Sequence, residues 1–397
     1  MSSILSNFMK ISESENLLSK KIASNNDRLD IYKDRMNLKD KYLDILKHYV
    51  VKDEFVKKQR QKQKEENSNK IIISETAFYA IQNCSTWFRY ETDKSWSKHK
   101  LNRSNRCKHK YCPQCARVQA LKRTLEAQYL MTKLFENNYD FLFLTLTLRN
   151  CNADEIKQTM DNMNKAVNQR FLKYKEIKEA FHGNIRKFEL TYNPYLYRKN
   201  KLVLKNGKKV VDENKKPFNP HIHMIIAVKK SYFGKRYIKQ HRLRELWQRA
   251  LDVDYLPMVN IKKVKLRTID DLTELEQEHA EYTNEEFEKQ RLIDGAFEIG
   301  KYMAKSTDYL ISDRMFHIFY ENLFKRRNWT VSGIFRQLKK EAKENEVEIL
   351  KEMLDKEIDF IHIVEYNYNN NDSNYYMTRL SRKDKEKEEN FNVISNE

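Results

Sequence analysis

The chain has 397 residues, of which 40% are hydrophobic and 12% aromatic, and its formal net charge is +19. That length allows two or three domains with at least one packed core, so an entirely disordered chain is excluded. The longest apolar stretch, FLFLTLTL from Phe141, is too short to cross a bilayer, and the first residues lack the basic head and apolar core of a signal peptide. We therefore expect a soluble cytoplasmic protein with no membrane partner.

The excess of lysine and arginine favours a polyanionic partner, because cations placed on phosphates release condensed counterions. Nucleic acid is the leading candidate, although charge alone indicates binding and no chemistry. Residues 1–70 are charged and mostly helical in pattern. Their last part, VKKQRQKQKEENSNK from Val56, is typical of a solvated basic linker; the alternative is an arm that contacts DNA.

Residues 71–138 are predicted to form a small zinc-binding knuckle followed by a helix. Four of the five cysteines lie close together in sequence, at Cys84, Cys107, Cys112 and Cys115. A cytosolic chain does not use such cysteines for disulfides, so the spacing indicates tetrahedral Zn²⁺ held by thiolates, with a structural role. His109 lies within the knuckle and could replace Cys84, and buried free thiols are the alternative to a metal site.

Apolar periodicity predicts the elements that follow. In chain order they are a helix at 113–136, a strand at 141–148, a helix from about Asp154, strands at IRKFELTY and NPHIHMIIAV, a helix at 235–251, a strand in LPMVNIKKVKL and a helix at 292–310. Between the second and third strands, Asn206-Gly207 flanked by branched apolar residues predicts a projecting β-ribbon, whose lysines either contact DNA or keep the ribbon soluble. This order predicts an α+β fold with a mainly antiparallel central sheet flanked by helices.

The segment NPHIHMIIAV places His221 and His223 one residue apart at the start of an apolar run. Because side chains alternate in a strand, both imidazoles project from one face, where they form half of a metal site or an ordinary polar patch. For the third ligand we favour Glu189 in KFELTYN, since a carboxylate on an apolar strand is costly unless paired or metal-bound; the alternative is a simple edge-strand residue. Thr145 and Thr147 share a strand face, where they line the floor of the site or simply reflect β-propensity.

The segment FEIGKYMAKSTDYL places Glu298, Tyr302, Lys305 and Tyr309 on one stripe of a helix. An ordinary surface helix shows the same stripe, but here it occurs with a metal-type histidine pair in a basic protein. A tyrosine hydroxyl, with a pKa of about 10, is a poor nucleophile and needs an electrophilic substrate. A divalent metal at the histidines would polarise a scissile phosphate while Tyr302 attacks phosphorus, which leaves a 5′-phosphotyrosine and a free 3′-hydroxyl. Lys305 then stabilises the phenolate or phosphate charge, or is an ordinary solvated lysine.

Four segments in this order, CKHKYCPQC, FLFLTLTLRNC, NPHIHMIIAV and EIGKYMAK, resemble the rolling-circle plasmid replication initiators of the HUH endonuclease superfamily. VSGIFRQL is similar to a later segment of that family, so the resemblance covers roughly residues 75–375. It implies an HUH nicking domain of the RRM or ferredoxin-like type at 139–312. An accessory element at 313–375 and a disordered tail at 376–397 would follow.

The resemblance also implies residue roles. Tyr302 would be the nicking nucleophile, and His221 and His223 would bind the catalytic Mn²⁺ or Mg²⁺. A glutamate four residues before the tyrosine activates water for a terminating hydrolysis in the branch that this chain resembles, and Glu298 matches it. Relatives with two tyrosines use a second phenol, but Tyr309 is offset from their spacing, so we favour Glu298.

The partners implied are a plasmid double-strand origin, exposed as a single-stranded or hairpin nick site, and a host helicase and polymerase; a homodimer is compatible with the family. Two alternatives stay open. One is a transposase or mobilisation relaxase built on the same core. The other is a non-enzymatic, zinc-dependent DNA-binding regulator in which the histidines and Tyr302 are structural.

Overall fold

The structure is a computed structural model of the chain. It describes Leu29 and residues 32–33, 35–66, 70–95, 99–199, 201–234, 236–264, 307–324, 326–344 and 360–382. Within these ranges, no helix combines the length and the apolar character that a membrane span requires.

The described residues form nine α-helices, and the side chain of the preceding serine caps two of them. They are α1 (Met36–Leu46), α2 (Asp53–Glu65), α3 (Glu75–Gln82), α4 (Pro113–Glu136), α5 (Ile156–Lys165), α6 (Lys175–Ala180), α7 (Gln240–Leu251), α8 (Asp313–Leu323) and α9 (Ile334–Glu344). The hydroxyls of Ser74 and Ser312 accept hydrogen bonds from the first turns of α3 and α8. Proline at the first position of α4 suits a site where its missing N–H has no partner to lose.

The strands range from two-residue bridges to a twelve-residue central strand. They are β1 (Val50–Val51), β2 (Ile73–Ser74), β3 (Trp87–Asp93), β4 (His99–Ser104), β5 (Tyr139–Thr147), β6 (Gly183–Tyr192), β7 (Tyr197–Arg198), β8 (Lys201–Leu202), β9 (Leu204–Lys205), β10 (Lys208–Lys209), β11 (Phe218–Lys229), β12 (Val259–Lys263), β13 (Trp329–Gly333), β14 (Phe360–Asn369) and β15 (Asn374–Arg382). The chain divides into two compact units, one drawn from Met1–Val118 with Leu350–Glu397 and the other from Gln119–Ile349.

The second unit is built on a five-stranded sheet in the order β12-β5-β11-β6-β13. Every neighbouring pair in it is antiparallel, so the expected α+β class with an antiparallel sheet is confirmed. The central strand β11 is largely buried, as expected of a strand with neighbours on both sides.

Helices cover both faces of this sheet. On one face α5, α6 and α7 bury alternate residues of β5 and β11, among them Leu144, Ile222 and Met224. On the other face α4 and α9 pack on Phe141, Ile225 and other residues of opposite parity. Since His221 and His223 have the parity of Ile225, they lie on the α4 and α9 face, beyond the end of its apolar cluster.

The first unit contains a four-stranded antiparallel sheet in the order β15-β14-β3-β4. Its core joins distant parts of the sequence, because Phe88 on β3 packs with Val364 and Tyr366 on β14 and with Tyr375 on β15. We expected only a knuckle and a helix at 71–138, so β3 and β4 correct that prediction.

Several sequence predictions are confirmed. The helix at 113–136 has the expected bounds, and the strand at 141–148 is β5. The hairpin at Asn206-Gly207 is present, with both residues at positive φ, as a type I′ turn requires.

Other predictions were wrong. The basic segment from Val56 is helical to Glu65 as part of α2 and is not a linker. Residues 376–382, expected in a disordered tail, form most of β15, because Tyr375 and Met377 pack on the core of the first unit. The strand β13, expected in a separate accessory element, is an edge strand of the central sheet.

Candidate functional site

Strand register brings three predicted ligands to one place on the α4 and α9 face. His221 on β11 pairs with Glu189 on β6, and His223 lies two residues further along on the same face. On the other side of β11, His223 pairs with Thr145 of β5. On the outer side of β6, the pairing with β13 ends at Lys187, and Glu189 lies two residues beyond it.

The donor atoms of the three side chains converge. One carboxylate oxygen of Glu189, Oε2, lies 3.2 Å from Nε2 of His221 and 3.0 Å from Nε2 of His223. All three donor atoms lie within 4.8 Å of one another. A single ion could therefore contact all three, and the set of two imidazole nitrogens and one carboxylate oxygen fits a divalent metal. Of the two ions expected, Mg²⁺ favours oxygen ligands more strongly, so this mixed set favours Mn²⁺.

The second nitrogen of each imidazole is engaged elsewhere. Nδ1 of His221 lies 3.0 Å from the carbonyl oxygen of Asn219, to which it donates as N–H. Nδ1 of His223 lies 3.1 Å from Oγ1 of Thr145. A proton on Nδ1 leaves the lone pair of Nε2 for an ion, as metal ligation needs, and such an ion would take the place of the hydrogen that otherwise lies between each Nε2 and Glu189.

Burial and hydrogen bonding set the charge of the cluster. Burial by itself would raise the pKa of Glu189, but hydrogen bonds from His221 and His223 outweigh it and lower that pKa, so the carboxylate is ionised. Burial lowers the pKa of His223, which favours its neutral form. The ring of Phe143 stacks on His223 at a centroid distance of 5.5 Å and limits its rotation. An ionised carboxylate with a neutral imidazole is the protonation pattern of metal ligands.

Cationic side chains flank the cluster, and no pattern in the sequence pointed to them. Lys187 is two residues from Glu189 on β6 and pairs across the sheet with His223. Burial lowers the pKa of Lys187, while the charge of Glu189 acts in the opposite direction. The guanidinium of Arg123 on α4 lies 5.7 Å from the ring centroid of Trp329, which is the neighbour of Lys187 on β13. Positive charge next to the cluster suits a phosphate substrate.

Asp308 is a second residue that sequence reasoning missed. Its Oδ2 accepts a hydrogen bond of 2.9 Å from the backbone N–H of Tyr192, at the end of β6. Burial raises the pKa of Asp308, and the negative charge of Glu189 acts in the same direction. This contact fixes the start of the 3₁₀ turn Asp308–Leu310 at the end of the strand that carries Glu189.

The predicted catalytic helix falls largely outside the described residues. Glu298, Tyr302 and Lys305 all lie there, so their predicted roles stay predictions. Tyr309 is described: it is buried in the 3₁₀ turn, with its ring centroid 6.3 Å from that of Phe316. Its side chain therefore serves packing.

The four clustered cysteines form a second group of potential ligands, in the first unit. Sγ of Cys115 lies 3.5 Å from Sγ of Cys84 and 3.6 Å from Sγ of Cys107. All four sulfurs, including that of Cys112, lie within 4.8 Å of one another. Tetrahedral Zn–S bonds of about 2.3 Å require sulfur separations of about 3.8 Å, so this arrangement fits Zn²⁺.

His109 does not take part in this cluster. Its Nδ1 lies 2.6 Å from the hydroxyl of Tyr42, whereas its backbone N–H donates to Sγ of Cys107 at 3.4 Å. The structure thus brings Cys84, and not His109, to the other three cysteines. The ammonium of buried Lys39 donates to the carbonyl of Cys84 at 3.3 Å. Burial lowers the pKa of Lys39, whereas the negative charge of the Cys84 thiolate acts to raise it. A cation at this position would offset part of the negative charge of thiolates that hold a metal.

The chain is similar to known proteins. Residues 98–377 match the family described as Replication protein. A "Protein rep" from Staphylococcus aureus is 27% identical over 266 residues, which cover 66% of this chain and 96% of the relative. "Protein rep" sequences from Bacillus amyloliquefaciens and Streptococcus pneumoniae are 28% and 25% identical, over 66% and 69% of this chain and 71% and 74% of the relatives. No solved structure matches the chain.

Proposed function

Since this chain belongs to the Replication protein family and is a plasmid rolling-circle replication initiator, we propose that it nicks one strand of its origin DNA with Tyr302 as the nucleophile. The observation that carries this proposal is the convergence of His221, His223 and Glu189 on one point of the central sheet. The antiparallel sheet with a histidine pair on its central strand supports an HUH core. The unit that contains Gln119–Ile349 would be the nicking domain, acting on plasmid DNA in the cytoplasm.

His221, His223 and Glu189 would hold a catalytic Mn²⁺ or Mg²⁺. When bound, this ion polarises a non-bridging oxygen of the scissile phosphate and makes phosphorus more electrophilic. Thr145 and the carbonyl of Asn219 keep the two imidazoles in the required tautomer. Lys187 places a further positive charge beside the site, where charge develops on the phosphate.

Tyr302 would attack phosphorus through its phenol oxygen. The Tyr–O–P bond forms and the P–O3′ bond breaks, while the phenol loses its proton. The departing oxygen becomes a 3′-hydroxyl. A host polymerase extends this 3′-hydroxyl after a helicase opens the duplex. Lys305 would stabilise the phenolate before the attack. Tyr302 lies six positions before Asp308, which is fixed at the end of β6, and six positions of extended chain span at most about 20 Å. Chain connectivity therefore allows the phenol to reach the ligand cluster.

Glu298 would end the cycle. A covalent tyrosyl linkage conserves the energy of the phosphodiester bond, so the DNA strand can later be rejoined. Attack by water gives up that energy and ends a round of replication. In that second cleavage, the Glu298 carboxylate takes a proton from water, whose oxygen attacks phosphorus, and a 3′-hydroxyl leaves.

A transposase or relaxase on the same core, and a DNA-binding regulator without catalysis, are the alternatives. The match to the Replication protein family favours an initiator over the first. The paired Nε2 atoms that face an ionised Glu189 favour a catalytic metal site over the second.

The test incubates the full chain with Mn²⁺ and a supercoiled plasmid that carries the candidate origin. We expect relaxed circles and DNA covalently attached to protein. Tyr302→Phe should abolish both, whereas Tyr309→Phe, which changes a packed ring, should retain both. In the same assay Glu298→Ala should leave the first cleavage intact and impair termination. Nicking that survives Tyr302→Phe would reject the proposed nucleophile.

A further inference from the structure

The segment between β6 and β11 projects from the strands that carry the ligand cluster. We call residues 194–217 the basic ribbon. Its base is closed by the pairing of Tyr192 with Phe218 and by a hydrogen bond of 2.8 Å from the Asn193 N–H to the Pro217 carbonyl. Phe218 is three residues from His221 in sequence, which is about 10 Å along a strand. Whatever binds the ribbon therefore lies close to the proposed nick site.

Backbone hydrogen bonds make the ribbon a self-contained structure. The N–H of Leu196 donates to the carbonyl of Val210, that of Val210 to Val203, and that of Val203 to Leu196, at 2.9, 3.1 and 3.0 Å. Asn206 and Gly207 close the tip with φ values of 51° and 71°. Substitutions of exposed ribbon side chains therefore leave the core of the unit untouched.

The ribbon carries much more positive than negative charge. It has eight lysines and arginines against Asp212 and Glu213. Two of the cations have polar partners: Lys215 donates to the carbonyl of Tyr195 at 3.0 Å, and Lys216 contacts Glu155 at 2.7 Å. Nζ of Lys209 also lies 4.9 Å from the ring centroid of Tyr195. The other six are exposed, namely Arg198, Lys199, Lys201, Lys205, Lys208 and Lys209.

Cross-strand register places like charges opposite each other twice. Lys208 pairs with Lys205 beside the turn of the β9–β10 hairpin, and Arg198 pairs with Lys201 in the separate β7–β8 hairpin. Like charges directly opposite in an antiparallel pair are destabilising. A polyanion that lies along the two exposed pairs would reduce the repulsion between their like charges, because each cation then contacts a phosphate.

We propose that the basic ribbon binds duplex DNA beside the nick site, as an electrostatic clamp on the stem of the origin. This rests on the proposed function only in taking plasmid DNA as the substrate. The basic ribbon contains two short two-stranded hairpins, β7–β8 and β9–β10. A two-stranded hairpin fits the major groove, which is about 12 Å wide, and cations on the two hairpins can then reach phosphates of the duplex. Binding sites for single strands instead present aromatic rings on which bases stack, whereas Tyr197 is the exposed aromatic ring of the described ribbon.

The test compares two charge-matched variants of the full chain. The ribbon variant is Lys201→Ala with Lys205→Ala and Lys208→Ala. The control is Lys173→Ala with Lys175→Ala and Lys178→Ala, which removes three exposed lysines from α6 and the turn before it. These elements cover the face of the central sheet opposite to the ligand cluster. Fluorescence anisotropy measures binding to a 20-bp mixed-sequence duplex and to a 20-nucleotide oligothymidine, at several salt concentrations and without divalent metal.

We expect the ribbon variant to bind duplex at least about tenfold more weakly in 0.1 M salt, with a slope of log K against log salt that is smaller by up to about 2.7. The control variant should retain both values, and oligothymidine binding should be the same in all three proteins. Equal losses in the ribbon and control variants would overturn the proposal in favour of diffuse charge. An equal loss for oligothymidine would assign the ribbon to single strands instead. Cleavage is not measured, so a failure of the Tyr302 chemistry would not alter this result.

Discussion

At the scale of single residues, two threonines on the same face of β5 have different tasks. Oγ1 of Thr145 lies 3.1 Å from Nδ1 of His223, whereas Oγ1 of Thr147 donates to the carbonyl of Met258 at 2.9 Å. Only Thr145 therefore orients a proposed metal ligand. The sequence predicted that the two threonines share a face of the strand. It could not distinguish a role in the site from the high β-propensity of threonine.

Thr145→Val should weaken Mn²⁺ binding by about 10- to 100-fold, because the ring of His223 loses the partner that fixes its tautomer. Valine fills the same volume, so the fold should be kept. Thr147→Val is the matched control and should bind Mn²⁺ as the unchanged chain does. Isothermal titration with Mn²⁺ measures both, and equal affinities in the two variants would contradict the role given to Thr145.

At the scale of elements, the edge of the central sheet depends on two glycines. Gly183 on β6 pairs with Gly333 at the end of β13, just before α9. A Cβ on Gly333 would lie 2.6 Å from Cα of Gly183, and the φ of Gly333 is +60°. The close approach lets β13 join the sheet and α9 fold over the face of the ligand cluster. This gives a physical reason for the glycine in VSGIFRQL.

Gly333→Ala should destabilise the second unit by at least about 3 kcal/mol, since backbone strain of about 1–2 kcal/mol adds to a steric clash with β6. Gly207→Ala is the control, because Gly207 also has positive φ but nothing within 4 Å of an added Cβ. It should cost about 1 kcal/mol. Urea unfolding followed by fluorescence compares the two, and equal costs would show that the close approach does not matter.

At the scale of the whole molecule, the first unit assembles from the two ends of the described chain around the cysteine cluster. The hydroxyl of Tyr375 on β15 donates to the carbonyl of Ser85 at 2.7 Å, next to Cys84. Arg106, next to Cys107, lies over the ring of Phe88 on β3 at 5.2 Å. A metal at the cysteines would therefore hold together a sheet built from residues almost 300 positions apart.

Cys112→Ser should remove about one zinc per chain and lower the melting temperature on the order of 10 °C, because the binding free energy of a structural metal is also folding free energy. Cys151→Ser is the control: Cys151 is buried but lies outside the cluster. It should retain zinc. Metal analysis of carefully reduced protein together with calorimetry measures both effects, and zinc that persists in Cys112→Ser would refute the four-cysteine site.

Much of the ligand cluster followed from local sequence pattern. Alternation in a strand put His221 and His223 on one face, and the cost of a lone carboxylate singled out Glu189. What the pattern could not give is register: a shift of one residue between β6 and β11 would turn Glu189 to the other face. Lys187 and Asp308 were missed for the same reason, because each matters only through a residue that is distant in sequence.

The sequence by itself determined most elements from α4 to β12, the turn at Asn206-Gly207, the spacing of the cysteines and the parity of the histidines, because each depends on residues within a few positions of one another. The tertiary structure alone decided that Cys84 and not His109 joins the other cysteines, that β13 completes the central sheet, and that β14 and β15 pair with β3. These outcomes depend on long-range pairing, whose free energy comes from burial between segments that no local periodicity connects.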